Sequence, residues 1–230
     1  LTITLPLMAQ ARHRIVSSSV KSLQVVVNQD WLSMPVMTLG SSDVLHVGFD
    51  ELSHNYHRFV AHLEHCEPDW SPTEGLFESD WLEGFNDLPI EDYESSLNTT
   101  VLYTHYKLQI PNEQCRLKLS GNYRLRVLDE DEGNEEVLVA EFRVVEPLMN
   151  VGLGITTNTD IDHNQSHQQI DLSVNYNSLR VTDFSEQIQS YVLQNGREDN
   201  MKENIPPSHI TPKGLQWTHC RKLIFNAGNE

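Results

Sequence analysis

The chain has 230 residues, 16 basic and 33 acidic, giving a net charge of −17. That balance argues against unaided binding to nucleic acid or to an anionic membrane, where attraction rests on basic side chains. No apolar run reaches the ~20 residues a membrane-spanning helix needs, and Cys66, Cys115 and Cys220 are too few for a disulfide scaffold.

The chain opens without methionine, as Leu1-Thr-Ile-Thr-Leu-Pro-Leu-Met-Ala-Gln-Ala11. This reads as the end of a signal-peptide apolar region with an Ala9-x-Ala11 cleavage site. Residues 1–19 are expected to be signal-peptide remnant and leader, and the sequence to be a fragment cut at both ends.

From residue 20 the pattern is that of strands. Ser22–Val27 is the first, followed by a turn from Asn28. Met34–Leu39 reads as a short edge strand limited by Pro35. In Val44–Asp50, Leu45, Val47 and Phe49 share one face. In Tyr56–Cys66, Phe59, Ala61 and Leu63 alternate with Arg58, His62 and Glu64. The stretch from Glu67 to Asp92 has no sustained period, yet it carries Trp70, Phe77, Trp81 and Phe85. Long aperiodic stretches in a small domain are usually functional or form a packed cap. Short helical turns are expected near Glu51 and over Ser79–Phe85.

Asp92–Asn98 and Tyr103–Ile110 return to strand character, and Pro111–Arg116 reads as a connection. Tyr123, Leu125 and Val127 then alternate with Arg124 and Arg126, as Ala140, Phe142 and Val144 do with Glu141 and Arg143. Two strands with one buried and one wet face follow, joined by a polar open loop over Asp129–Glu136. Glu146-Pro147 ends the second strand, because proline cannot donate to a ladder. About seven strands with regular turn signals predict an immunoglobulin-like or fibronectin-like β-sandwich over residues 20–146.

Beyond Pro147 alternation resumes in Val151–Ile155 and Ile170–Tyr176. Gln189–Leu193 leads into the Asn195-Gly196 turn signal. Asn200–Pro212 reads as loop, and Leu215–Trp217 and Leu223–Phe225 as final strands. Four or five strands are too few for a complete sandwich, so residues 148–230 are expected to be part of a second β domain.

Patterns that would carry chemistry are weak. His54 and His57, like His62 and His65, lie three apart, which on a strand sends them to opposite faces. His163 and His167 would need a helix to converge. The acidic run from Asp129 fails the calcium-loop spacing, with Ala140 at the position that needs glutamate. No Gly-x-Ser-x-Gly, His-Glu-x-x-His or Gly-x-x-x-x-Gly-Lys pattern occurs, so no catalytic residue, metal or cofactor is expected. Cys66 and Cys115 stay open between a pair and two free thiols. Asn98-Thr-Thr100 and Asn164-Gln-Ser166 fit the glycosylation pattern, which matters only in a eukaryotic secretory host. The aromatic stretch is the remaining candidate, as a partner-binding patch of Trp70, Phe77, Trp81 and Phe85 or as packing at one end of the sandwich.

Several stretches together carry a resemblance. They are Leu39-Gly-Ser-Ser-Asp-Val-Leu-His-Val-Gly-Phe-Asp-Glu-Leu52, His65-Cys-Glu-Pro-Asp-Trp70 and Trp81-Leu-Glu-Gly-Phe-Asn-Asp-Leu-Pro-Ile-Glu-Asp-Tyr93. To these add Thr104-His-Tyr-Lys-Leu-Gln-Ile-Pro111, Ser120-Gly-Asn-Tyr123 and Val192-Leu-Gln-Asn-Gly-Arg197. In this order, from about Ser22 to Glu230, the chain resembles the N-terminal part of the type IX secretion system plug proteins of Bacteroidetes. The resemblance implies an exported, non-enzymatic protein of all-β domains in the periplasm or associated with the outer membrane. The partner it implies is an outer-membrane β-barrel translocon, whose periplasmic end the plug closes when the barrel carries no cargo. Similar proteins also occur in gut Bacteroidetes without the secretion system. The family has no catalytic residues to carry over. The alternative function is a carbohydrate-binding or adhesive cell-surface module using the aromatic stretch as its platform.

Overall fold

Alternating apolar side chains become strands almost everywhere in this computed structural model, which describes residues 13–53 and 55–228. The expected signal-peptide remnant, residues 1–11, lies outside the described residues. By internal contacts the chain divides after Glu146 into two units.

In the first unit, β1 (Arg14–Ile15), β2 (Val20–Val27), β3 (Val36–Thr38), β4 (Leu45–Glu51) and β5 (Phe59–Cys66) come first. A helical turn α1 (Glu78–Trp81) leads into β6 (Leu82–Gly84), β7 (Leu88–Pro89), β8 (Asp92–Ser95), β9 (Thr104–Ile110) and β10 (Cys115–Leu117). The hairpin β11 (Gly121–Asp129) and β12 (Glu135–Val145) closes the unit.

One sheet runs β1-β12-β11-β5-β7, with β3 parallel to β12, and a second runs β2-β4-β9-β8. In the first sheet Tyr123 faces Phe142, and Leu125 faces Ala140 on one side and Leu63 on the other. In the second, Leu45, Val47 and Phe49 face Ile110, Leu108 and Tyr106. All of these join one buried cluster, so the two sheets close face to face as a sandwich. Phe49, Phe59 and Tyr106 meet at its centre with ring centroids 4.8–5.3 Å apart. The Tyr123 hydroxyl, buried with its ring, donates to the Leu119 carbonyl at 2.7 Å.

Several expectations change. The stretch 67–92 holds a short helical turn, α1, where one was expected over Ser79–Phe85, and adds the short strands β6 and β7, which were not expected. Cys115–Leu117, expected as connection, is a strand paired with β6. Glu51 ends β4 and Leu52–Ser53 turn the chain there, with no helix among the described residues around it. Ser22 sits at φ +54° inside β2, where the pairing with β4 slips between Lys21 and Gln24. The hairpin loop is shorter than Asp129–Glu136, and Asp129 is buried. Its carboxylate is satisfied there by the His57 imidazole and the Asp131 N–H, each at 3.0 Å. Cys66 and Cys115 are free and buried.

The second unit holds β13 (Asn150–Thr156), β14 (His167–Asn175), the turn α2 (Phe184–Gln187), β15 (Tyr191–Gln194) and β16 (Arg197–Glu203). Then follow β17 (His209–Thr211), β18 (Gly214–Trp217), a 3-10 turn over Arg221–Leu223, and β19 (Ile224–Asn226). The sheet order is β13-β14-β18-β17, with β19 beside the start of β14 and β15–β16 as a separate hairpin. Asn195-Gly196 makes the hairpin turn with both φ positive, at +52° and +70°. β16 and β17 fall within or beside the stretch 200–212 expected as loop. The core gathers Ile170, Leu172, Tyr176, Leu215, Trp217, Leu223 and Phe225.

Candidate functional site

The four aromatics of the 67–92 stretch take three different environments. Trp81 ends α1 and is buried in the sandwich core, edge-on to Tyr123 at 5.8 Å and near His65 at 6.3 Å. Trp70 is half-buried over the outward face of the hairpin. The Arg143 guanidinium lies 5.1 Å from its ring centroid, and its carbonyl accepts from Arg124 at 2.9 Å. Phe77 and Phe85 point outward, 77% and 71% exposed.

Phe77 and Phe85 stand on fixed backbone. The Phe77 N–H donates to the Asp80 carboxylate at 2.9 Å, which caps α1. Next to Phe85, Gly84 has φ +106°, and a Cβ there would meet the Gln114 carbonyl at 2.0 Å, so only glycine allows β6 to lie this close to β10. The Phe85 N–H donates to that same carbonyl at 2.9 Å. Buried Asn86 exchanges two hydrogen bonds with the Leu63 backbone, at 2.7 and 3.0 Å, and donates to Glu78 at 2.9 Å. Trp81, Leu82 and Asn86 therefore anchor the segment while Phe77 and Phe85 flank it. Among the described residues none of the four rings stacks on another.

Sequence reading missed Asn86, whose role depends on its reach to β5, a contact that no local pattern reveals. It also missed Trp31, 64% exposed, which lines a shallow groove of about 230 Å³ with Val26, His46, His105 and Lys107 on the second sheet.

His57, Asp129 and Asp131 are close enough to hold a cation. Their atoms are already engaged: Asp129 with His57, and Asp131 with Arg58 at 2.7 Å. A metal would have to displace both pairs. His57 Nε2 also lies 3.1 Å from the Ser53 hydroxyl, which superficially completes a nucleophile–base–acid chain. The single Ser53 proton has a shorter contact, 2.6 Å to the buried Glu51 carboxylate, so the imidazole is not placed to take it. These groups tie β4, β5 and β11 together. His62 and His65 diverge, as their spacing on a strand predicts: His62 meets Asp87 at 2.8 Å, while His65 meets Thr73 at 2.8 Å.

The first unit is thus an all-β sandwich that displays aromatic side chains on fixed backbone. The model of the type 9 secretion system plug protein first domain matches residues 20–146, more than half of the sequence, and the chain belongs to this family. A crystal structure of a hypothetical protein from Parabacteroides merdae ATCC 43184 is similar at 34% identity and a TM-score of 0.88. The similarity covers 96% of this chain and 56% of that one, so this chain spans little more than half of that relative. No curated protein matches.

Proposed function

We propose that the chain is the N-terminal part of a non-enzymatic periplasmic plug, which closes the translocon barrel of a type IX secretion system when the barrel carries no cargo. The observation that carries this reading is the family match over 20–146. The partner is the outer-membrane β-barrel, and Phe77 and Phe85 make the contact, with Trp70 beside the hairpin. Large rings that are exposed before binding and held on rigid backbone lose little entropy when they dock. Trp81 acts through folding by fastening the segment.

The experiment separates folding from binding. Phe77→Ala and Phe85→Ala should melt like the parent and lower co-purification with the barrel, by about 30-fold in affinity for a ring at the interface centre. Trp81→Ala should instead cost about 3–5 kcal/mol of stability. Full barrel recovery by both folded phenylalanine variants would remove this surface from the contact. A parent chain that binds a glycan array and no barrel would replace the plug with the adhesive module.

A further inference from the structure

The second unit carries an apolar face wider than its own cover. Val151, Leu153 and Ile155 on β13 stand opposite Val174, Leu172 and Ile170 on β14. Ile170 and Leu172 are buried, but Val151, Leu153 and Ile155 are 65%, 59% and 62% exposed. The far strand repeats this: Ile210 on β17, opposite buried Leu215, is 61% exposed. The core face of the sheet is therefore apolar across all four strands, and among the described residues only its middle is buried.

Among the described residues β13 is also the end strand of that sheet, and it pairs with β14 in unbroken register. Natural edge strands are guarded by charge, proline, a bulge or extreme shortness, because an open row of N–H and C=O groups invites another strand. Asn-Val-Gly-Leu-Gly-Ile-Thr has no charge and no proline over seven residues. Its other face offers only Gly152 and Gly154 between Asn150 and Thr156. A strand of this kind fits one that is paired in the finished protein.

The occupant follows from length and charge. The Parabacteroides relative matches 96% of this chain, while 44% of its own length (100 minus 56) lies outside the match. The family model that matches here is that of a first domain. A second copy is disfavoured by the net charge of −17, which sets two copies against each other. We propose that in the longer form of this protein a strand from the polypeptide beyond residue 230 pairs with β13 and lays apolar side chains over Val151, Leu153 and Ile155, completing the second β domain.

Hydrogen exchange followed by mass spectrometry tests this on two forms: the 230-residue chain, and the gene product lengthened to the relative's size. In the short form, peptides from 150–156 should exchange fast and a hydrophobic dye should bind, while β14 stays protected. In the long form the same peptides should slow by about tenfold or more and dye binding should fall. Leu153→Lys, at an exposed position, should leave the short form folded and return fast exchange to the long one. Equal exchange in both forms would overturn the proposal, as would protection in the long form that Leu153→Lys does not remove. Concentration-dependent protection of the short form, with a dimer seen by light scattering, would assign the face to a second copy.

Discussion

Tyr123 shows how one polar atom is accommodated in a sandwich core. Burial pushes its hydroxyl far up from the ordinary tyrosine range, so it stays a donor, and its acceptor is the Leu119 carbonyl at 2.7 Å. Tyr123→Phe leaves that carbonyl without its partner and should cost about 1–2 kcal/mol in urea denaturation; an unchanged midpoint would show that water replaces the bond. Burial also pushes the Cys66 and Cys115 thiols up to about 11. Half-buried Cys220 should therefore react first with a thiol reagent at pH 8, and Cys66 and Cys115 only on unfolding. Three fast thiols would contradict their burial. At this scale the sequence was only partly legible. Composition marks Trp81 and Phe85 alike as large aromatics, yet one anchors the fold and the other meets solvent. The difference lies in the course of α1 and in the Gly84–Gln114 approach, which depend on a partner strand some 30 residues away.

Elements were legible where they are long and two-faced. The β11–β12 hairpin, β4, β5 and β9 each put alternate residues into one core, and their alternation is plain in sequence. Phe142, buried and stacked on Tyr123 at 5.4 Å, belongs to that hairpin, and Phe142→Ala should cost about 3–5 kcal/mol by thermal or urea unfolding. β6, β7 and β10 are two or three residues long, too short to show a period. β16 has three acidic and two basic residues among the seven of Arg197–Glu203, and a strand of such composition reads as loop. The loop before β14 adds a pH-sensitive element. The hydrogen bond from His167 lowers the Asp162 carboxyl from 3.8 to about 2. A lowered carboxyl stabilises the fold above its ordinary value, and that contribution is lost as pH falls through about 2. Asp162→Asn should therefore lower the melting temperature at pH 6, with the difference from the parent shrinking towards pH 2. A constant difference across that range would mean the ionised carboxylate is not what stabilises the loop.

At the scale of the molecule, the fold class was readable from strand count and turn spacing, and the family from motifs in order. The function rests on the family and on what the first unit displays. We propose that residues 20–146 fold alone, because their two sheets share one continuous core. Acidic surroundings and aromatic rings on fixed backbone suit a protein partner better than a nucleic acid or a membrane. The most direct measurement places a photo-crosslinking residue at Phe85 in the host cell and identifies what it captures. The plug account predicts a crosslink to the large outer-membrane β-barrel, lost when the same residue replaces buried Trp81 or when the barrel gene is deleted. Capture of a different protein, unchanged by deletion of the barrel gene, would contradict it.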